Sequence, residues 1–309
     1  MAATLATGLA GAWACPRPAT ELSRREGLLL VVVTWVAVSA FGALPFYLSP
    51  FYPTITDAFF ESASGFTTTG ATVLDNVEVL PEPLQFWRHF THWLGGMGVV
   101  LLGVAVLPLV GHGGMQLYRA EFAGARSEKL TPRITETAKA LWFIYVLITG
   151  ACIVALHLAG MNWFDAVFHA FSTLALGGFS NYDASIGHFQ SPVVELIIVV
   201  FMLLSGISFL QHYRLLMERR PAKVLADVEI RGFLAIVGVA TAASAVSLVA
   251  QHGYGAWHAA RAALFQVSSI ITTTGFISED FERWPPLPQL VLLALMFIGG
   301  CTGSTAGGL

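Results

Sequence analysis

Three short segments of this chain share a residue pattern suited to stripping water from a cation. They are Glu61-Ser-Ala-Ser-Gly-Phe-Thr-Thr-Thr-Gly-Ala-Thr-Val73, His169-Ala-Phe-Ser-Thr-Leu-Ala-Leu-Gly-Gly-Phe179 and Gln266-Val-Ser-Ser-Ile-Ile-Thr-Thr-Thr-Gly-Phe276. Superposing Gly70, Gly178 and Gly275 brings Ser64, Ser172 and Ser269 together, and likewise Phe60, Phe168 and Phe265. A cation that loses its water shell needs oxygen ligands, and rings of backbone carbonyls supply them. Glycine tolerates positive φ, which lets consecutive carbonyls aim the same way instead of alternating. Threonine hydroxyls can add further oxygens. One such segment would be a weak signal, because Gly and Thr also serve close helix packing in membranes. Three in register point to a repeated device.

The elements that position these segments are apolar. Charged residues make up 11% of the 309 and hydrophobic ones 55%, whereas soluble domains carry roughly a quarter charged residues. Spanning the hydrocarbon layer takes about 20 apolar residues. Six runs qualify: Leu28–Leu48, Phe86–Val110, Ala138–Met161, Pro192–Met217, Gly232–Gln251 and Leu287–Leu309. The stretches leading into the repeated segments, at 57–66, 164–174 and 259–270, are too short to cross and read as re-entrant half-helices. Non-helical backbone at membrane depth must be buried in protein or line a watery path, so three such loops imply one shared path. The half-helices would direct their partially negative C-terminal ends at the ion.

Charge placement gives the orientation. Thirteen of sixteen basic residues fall before the first run, after the second or after the fourth; Arg88, Arg261 and Arg283 remain for the other side. The basic side is cytoplasmic and the repeated loops face outward. There, Asp75, Glu78, Glu82, Asp183, Glu279, Asp280 and Glu282 would concentrate cations.

The order span, half-helix, Gly-rich descent, outer loop, span occurs three times. It divides the chain into an N-terminal stretch 1–20, a first unit 21–136 with its cytoplasmic connection, a second 137–229 and a third 230–309. The expected fold is an all-α polytopic membrane protein of repeated helix–pore-loop–helix units around a central ion path. Cys15, Cys152 and Cys301 are isolated and in no metal spacing. The first twenty residues lack a positive charge ahead of Arg17, which argues against a cleaved signal peptide. The alternating charges of 111–136 read as a solvated face or a docking surface.

A different chemistry is also conceivable. His89 and His92 share a helix face and could bind a metal with His169 or Glu61, as in a polytopic membrane metalloenzyme. No H-E-x-x-H or G-x-S-x-G motif supports this, so the chain reads as a transporter and not as an enzyme, without organic cofactor and without nucleic-acid binding.

Phe66-Thr-Thr-Thr-Gly-Ala-Thr-Val73, His92-Trp-Leu-Gly-Gly-Met-Gly98, Gly113-Gly-Met-Gln-Leu-Tyr-Arg-Ala-Glu121 and Gly299-Gly-Cys-Thr-Gly-Ser-Thr-Ala-Gly-Gly308 together resemble the bacterial TrkH-type potassium-uptake subunits of the Trk/Ktr/HKT superfamily. The resemblance covers residues 21–309. It implies transport of K⁺ across the bacterial inner (cytoplasmic) membrane, four pore-loop repeats around one path, a homodimer in the lipid bilayer, and a cytosolic TrkA-type nucleotide-binding regulator. It implies a filter at Thr67, Thr68, Thr69 and Gly70, at Ala175, Leu176, Gly177 and Gly178, and at Thr272, Thr273, Thr274 and Gly275. A Ser at the first filter glycine accompanies sodium transport in the plant branch, so Gly70 favours potassium. The run Gly299–Gly308 holds five glycines in ten residues, which makes a straight helix costly at about 1 kcal/mol each. By the resemblance it is an intramembrane gating loop, with Gly299, Gly300, Gly303, Ser304, Thr305, Gly307 and Gly308 as its gating residues. The plain alternative is a small-residue packing face. The fourth repeat and the helix pair preceding the first are expected by the resemblance but not present, which reads as a piece of a longer product. A non-conducting scaffold subunit is the remaining alternative.

Overall fold

The computed structural model describes residues 24–106, 130–219 and 221–308. The stretch 1–20, the Gly113–Glu121 motif, most of the 111–136 connection and Cys15 lie outside the described residues.

Twelve α-helices are described. The first unit comprises α1 (Arg24–Gly42), a single turn α2 (Leu44–Tyr47), the half-helix α3 (Ile55–Phe66) and α4 (Glu82–Val106). The second comprises α5 (Leu130–Leu158), the half-helix α6 (Trp163–Ala175), α7 (Pro192–Ser205) and α8 (Phe209–Leu216), followed by the short α9 (Pro221–Leu225). The third comprises α10 (Val228–His252), the half-helix α11 (Ala256–Ile271) and α12 (Pro286–Leu295). No strand occurs among the described residues.

Local sequence caps the first two half-helices, while the third starts at Gly255 without a side-chain cap. Thr54 caps α3 through a capping box, accepting the Asp57 N–H at 3.1 Å while Asp57 accepts the Thr54 N–H at 3.2 Å. Asn162 caps α6 by accepting the Asp165 N–H at 2.8 Å. Both satisfy backbone donors that helix starts leave open. Packing then follows one rule. The first long helix of each unit lies on its own half-helix (α1 on α3, α5 on α6, α10 on α11), and the second lies on the next unit's half-helix (α4 on α6, α7 on α11). The units therefore follow one another around a common centre.

Large apolar side chains cover the outside, among them Leu29, Val33, Phe143, Val200, Val239 and Leu290. So broad an exposed apolar surface suits a lipid environment rather than water. Among the described residues, three helical segments are long and apolar enough to cross a membrane: Arg25–Tyr47, Thr137–Leu158 and Val228–His252.

Two expected spans are corrected. The run Pro192–Met217 is not one helix, since α7 and α8 meet at 95°. The cause is an intruding loop: Cys301 N–H donates to the Gly206 carbonyl (2.8 Å), Thr305 N–H to Ser205 (3.3 Å), and Phe209 N–H donates to Gly303 (3.0 Å). Foreign groups inserted into the helical ladder break it. The run Leu287–Leu309 is helical only to Leu295; beyond it the chain turns through Gly299 and Gly303 at φ +76° each.

Candidate ion filter and gate

The three repeated segments adopt the same backbone. Thr68, Leu176 and Thr273 take φ of 54°, 54° and 58°, and two residues later Gly70, Gly178 and Gly275 take 77°, 78° and 81°. Positive φ is costly for a non-glycine residue, and Leu176, an apolar residue without a local hydrogen-bonding side chain, takes it all the same. Strain repeated at three equivalent places marks a functional constraint.

Hydrogen bonds hold these turns alike. The carbonyls of Ser64, Ser172 and Ser269 accept the N–H groups of Thr69, Gly177 and Thr274 at 2.9, 3.0 and 2.8 Å. The Ser64 and Ser269 hydroxyls reach forward to the carbonyls of Ala71 (2.6 Å) and Phe276 (2.7 Å), the residues after the glycines. In the second unit, Ser172 instead meets His92 Nδ1 at 3.3 Å. Superposition of the repeats had aligned these serines without indicating this clamp.

Several threonine hydroxyls bond within their own segment. Thr67 donates to the Ala63 carbonyl and Thr272 to the Ser268 carbonyl, both at 2.7 Å. Thr67 and Thr69 pair at 2.8 Å, and Thr272 and Thr274 at 2.7 Å. The sequence allowed these hydroxyls as further oxygens beside the carbonyls; in the structure those of Thr67 and Thr272 also donate to the ends of their half-helices.

Neighbouring segments touch edge to edge. A side chain on Gly70 would overlap the Gly177 carbonyl oxygen, and one on Gly178 would overlap the Thr274 carbonyl oxygen. Around Gly275 there is open space, with nothing within 4 Å. The Gly95-Gly96 pair of α4 has a matching reason. Side chains there would strike the Phe66 carbonyl and Ala175 Cα, so their absence lets α4 approach the ends of both α3 and α6.

The glycine-rich run 299–308 is a loop stitched to the break in the second unit and to the filter. Thr305 Oγ1 lies 3.0 Å from the Leu174 carbonyl and 3.3 Å from that of Ser205. Gly307 N–H donates to Thr273 Oγ1 at 2.9 Å, and Thr302 N–H to Glu229 at 2.6 Å. Gly300 N–H closes the loop on the Gly307 carbonyl at 3.2 Å. Ser304 caps locally, accepting the Ala306 N–H at 3.1 Å. Gly308 takes φ +126° against Gly299.

The outer loops are acidic because their acids outnumber their bases: Asp75, Glu78, Glu82, Asp183 and Glu282 stand in addition to the pairs Arg88–Glu61 at 2.6 Å, Arg261–Glu195 at 3.2 Å and Arg283–Asp280 at 2.9 Å; His258 bonds Glu279. A cavity of about 420 Å³ opens beside Asp183, Gly187, Glu279, Asp280 and Glu282. Burial pushes the Tyr182 phenol up to about 12, with Asp165 adding to the shift, so its hydroxyl stays a donor to Asp165 at 3.0 Å.

The histidines do not converge on a metal. His89 Nδ1 meets the Gln85 carbonyl at 2.8 Å, and His169 is held by the Asp165 carbonyl (2.8 Å) and Ser180 Oγ (3.0 Å). Among the described residues no group of three His, Cys, Asp or Glu side chains could hold a metal ion. Cys152 and Cys301 are free and buried.

Known proteins match this arrangement. The profile of TrkH, described as a cation transport protein, matches residues 1–309. The chain belongs to the TrkH family. The Trk system potassium uptake protein TrkH of Escherichia coli K12 is 47% identical over 300 residues, covering 96% of this chain and 62% of that protein. TrkG of the same organism, also a Trk system potassium uptake protein, is 39% identical over 310 residues, covering 97% and 62%. The crystal structure of the potassium transporter TrkH from Vibrio parahaemolyticus superposes with a TM-score of 0.85 at 44% identity, covering 95% of this chain and 60% of that one. This TrkH-family chain thus spans about three fifths of the length of these relatives. The family lies in the Trk/Ktr/HKT superfamily, and the fold is that of an all-α polytopic membrane protein.

Proposed function

We propose that the three filter segments form the ion path of a potassium uptake system. The observation that carries this reading is the repeated pair of positive φ values, with Gly70 and Gly178 each packed against a carbonyl of the next segment. Alternating handedness of this kind turns successive carbonyls to one side, and carbonyls held in fixed positions can replace the water shell of K⁺. The ligands are the carbonyls of Thr67–Gly70, Ala175–Gly178 and Thr272–Gly275.

The Gly299–Gly308 loop is the gate. Its bonds to Thr273, Leu174 and Ser205 set its resting place. In this reading the chain works as a homodimer in the bacterial inner membrane, with a TrkA-type nucleotide-binding regulator on the basic cytoplasmic side; the names of its relatives support its place in a Trk potassium uptake system.

Rubidium uptake into liposomes tests the reading, with this chain measured beside a version extended by a fourth repeat. Flux competed by K⁺ more than by Na⁺ in either preparation is expected. Absence of such flux from both would overturn the proposal and favour a scaffold subunit.

A further inference from the structure

Two buried charges stand outside the roles described so far. Glu61 on α3 is wholly buried and Arg88 on α4 is 2% exposed, with Nε 2.6 Å from Oε1. The carboxylate also accepts the Thr72 hydroxyl at 2.9 Å and the Val73 N–H at 3.3 Å. Those residues carry the chain away from the first filter segment. The guanidinium donates Nη1 to the Ser180 carbonyl at 2.7 Å and lies 3.6 Å from the centre of the Phe179 ring. Those residues carry the chain away from the second segment. One ion pair therefore ties together the exits of two segments whose filter backbones meet at Gly70 and Gly177.

A buried ion pair is a poor source of stability, because desolvation offsets most of the attraction. Charge-assisted bonds are nevertheless short and directional. The other units hold the same place differently. Nine residues before its glycine, the second unit has His169, bonded to Ser180 Oγ at 3.0 Å. The third has Gln266, buried, with neither amide atom hydrogen-bonded among the described residues. At this position of the repeat the charged pair belongs to the junction of the first two units, whereas the Arg261–Glu195 pair joins α11 to α7 from other positions.

We infer that Arg88 and Glu61 are positioning residues for ion discrimination. By fixing how far apart the first two filter segments stand, they fit the carbonyls to K⁺ rather than to the smaller Na⁺. The inference rests on the filter reading above. Misplacement of ligating groups by a fraction of an ångström is enough to spoil such a site.

The test uses Arg88→Lys and Glu61→Gln in whichever preparation conducts, with membrane-inserted protein and thermal midpoint measured alongside. Arg88→Lys keeps the charge but loses the fork that reaches both Glu61 and Ser180. The K⁺/Na⁺ permeability ratio should fall about tenfold in both variants while Rb⁺ flux persists. The rise in thermal midpoint that K⁺ gives over Na⁺ should shrink in parallel. Folded variants with the wild-type ratio would overturn the inference. Loss of folded protein in both would also overturn it, by making the pair a folding element. A wild-type protein that fails to prefer K⁺ is a separate result and counts against the filter reading itself.

Discussion

The carbonyl oxygen of Gly177 fills the space into which a side chain on Gly70 would project. Gly70 also holds φ +77°, where any L side chain is strained. Gly70→Ser must therefore move the Gly177 carbonyl or relax its own turn, and both changes reach the ion path. The expected outcome is a K⁺/Na⁺ permeability ratio lowered about tenfold or more, read from bi-ionic reversal potentials. An unchanged ratio would remove Gly70 from the filter.

The serine clamp makes a graded prediction. Ser64 and Ser269 tie the half-helix to the carbonyl beyond the filter glycine, whereas Ser172 bonds His92. Ser64→Ala and Ser269→Ala should each cost about 1 kcal/mol of stability and reduce K⁺ preference. Ser172→Ala should lower K⁺ preference less. Thermal unfolding in K⁺ and in Na⁺ would measure both effects, and equal behaviour of the three variants would contradict the clamp.

Much of this was legible in the sequence because the repeat is written in residue types. Aligning Gly70, Gly178 and Gly275 also aligned the strained positions Thr68, Leu176 and Thr273, although nothing in Leu176 itself signals a left-handed backbone. The half-helices were legible from their length. Two things were hidden. The break at Gly206 lies in a run as apolar as any span, and it is caused by groups from Cys301 to Thr305 that are distant in the chain. The partners of Arg88 and Glu61 were hidden too, because long-range pairing leaves no periodic trace.

The acidic mouth predicts a salt-dependent rate. Asp75, Glu82 and Glu282 are exposed, and the outward-side arginines are already paired. Converting these three acids to amides should slow Rb⁺ entry several-fold at about 10 mM salt, where the screening length is about 30 Å. The difference should vanish near 1 M salt, where that length falls to about 3 Å. Selectivity should not move, since no filter group changes. A deficit that persists at high salt would mean that the acids act on the structure rather than through their field.

Thr305 joins three parts of the molecule through one hydroxyl: the glycine-rich loop that carries it, proposed as the gate, the Leu174 carbonyl of the second half-helix, and the Ser205 carbonyl at the helix break. Removing the hydroxyl while keeping the shape, as in Thr305→Val, deletes a bond worth about 0.5–1.5 kcal/mol. If that bond exists only while the loop rests in its described place, the loss shifts the gating equilibrium about two- to tenfold toward the open state. Thr305→Ser keeps the hydroxyl and should restore the resting flux. Glu229→Gln should act in the same direction, because Glu229, in the first turn of α10, accepts the Thr302 N–H at 2.6 Å. Rb⁺ flux without any regulator present is the measurement. It should rise in Thr305→Val and Glu229→Gln and stay at the wild-type level in Thr305→Ser. A fall in Thr305→Val and Glu229→Gln, with Thr305→Ser unchanged, would show that the loop must keep these bonds to conduct, and the gate would then close by breaking them rather than by making them.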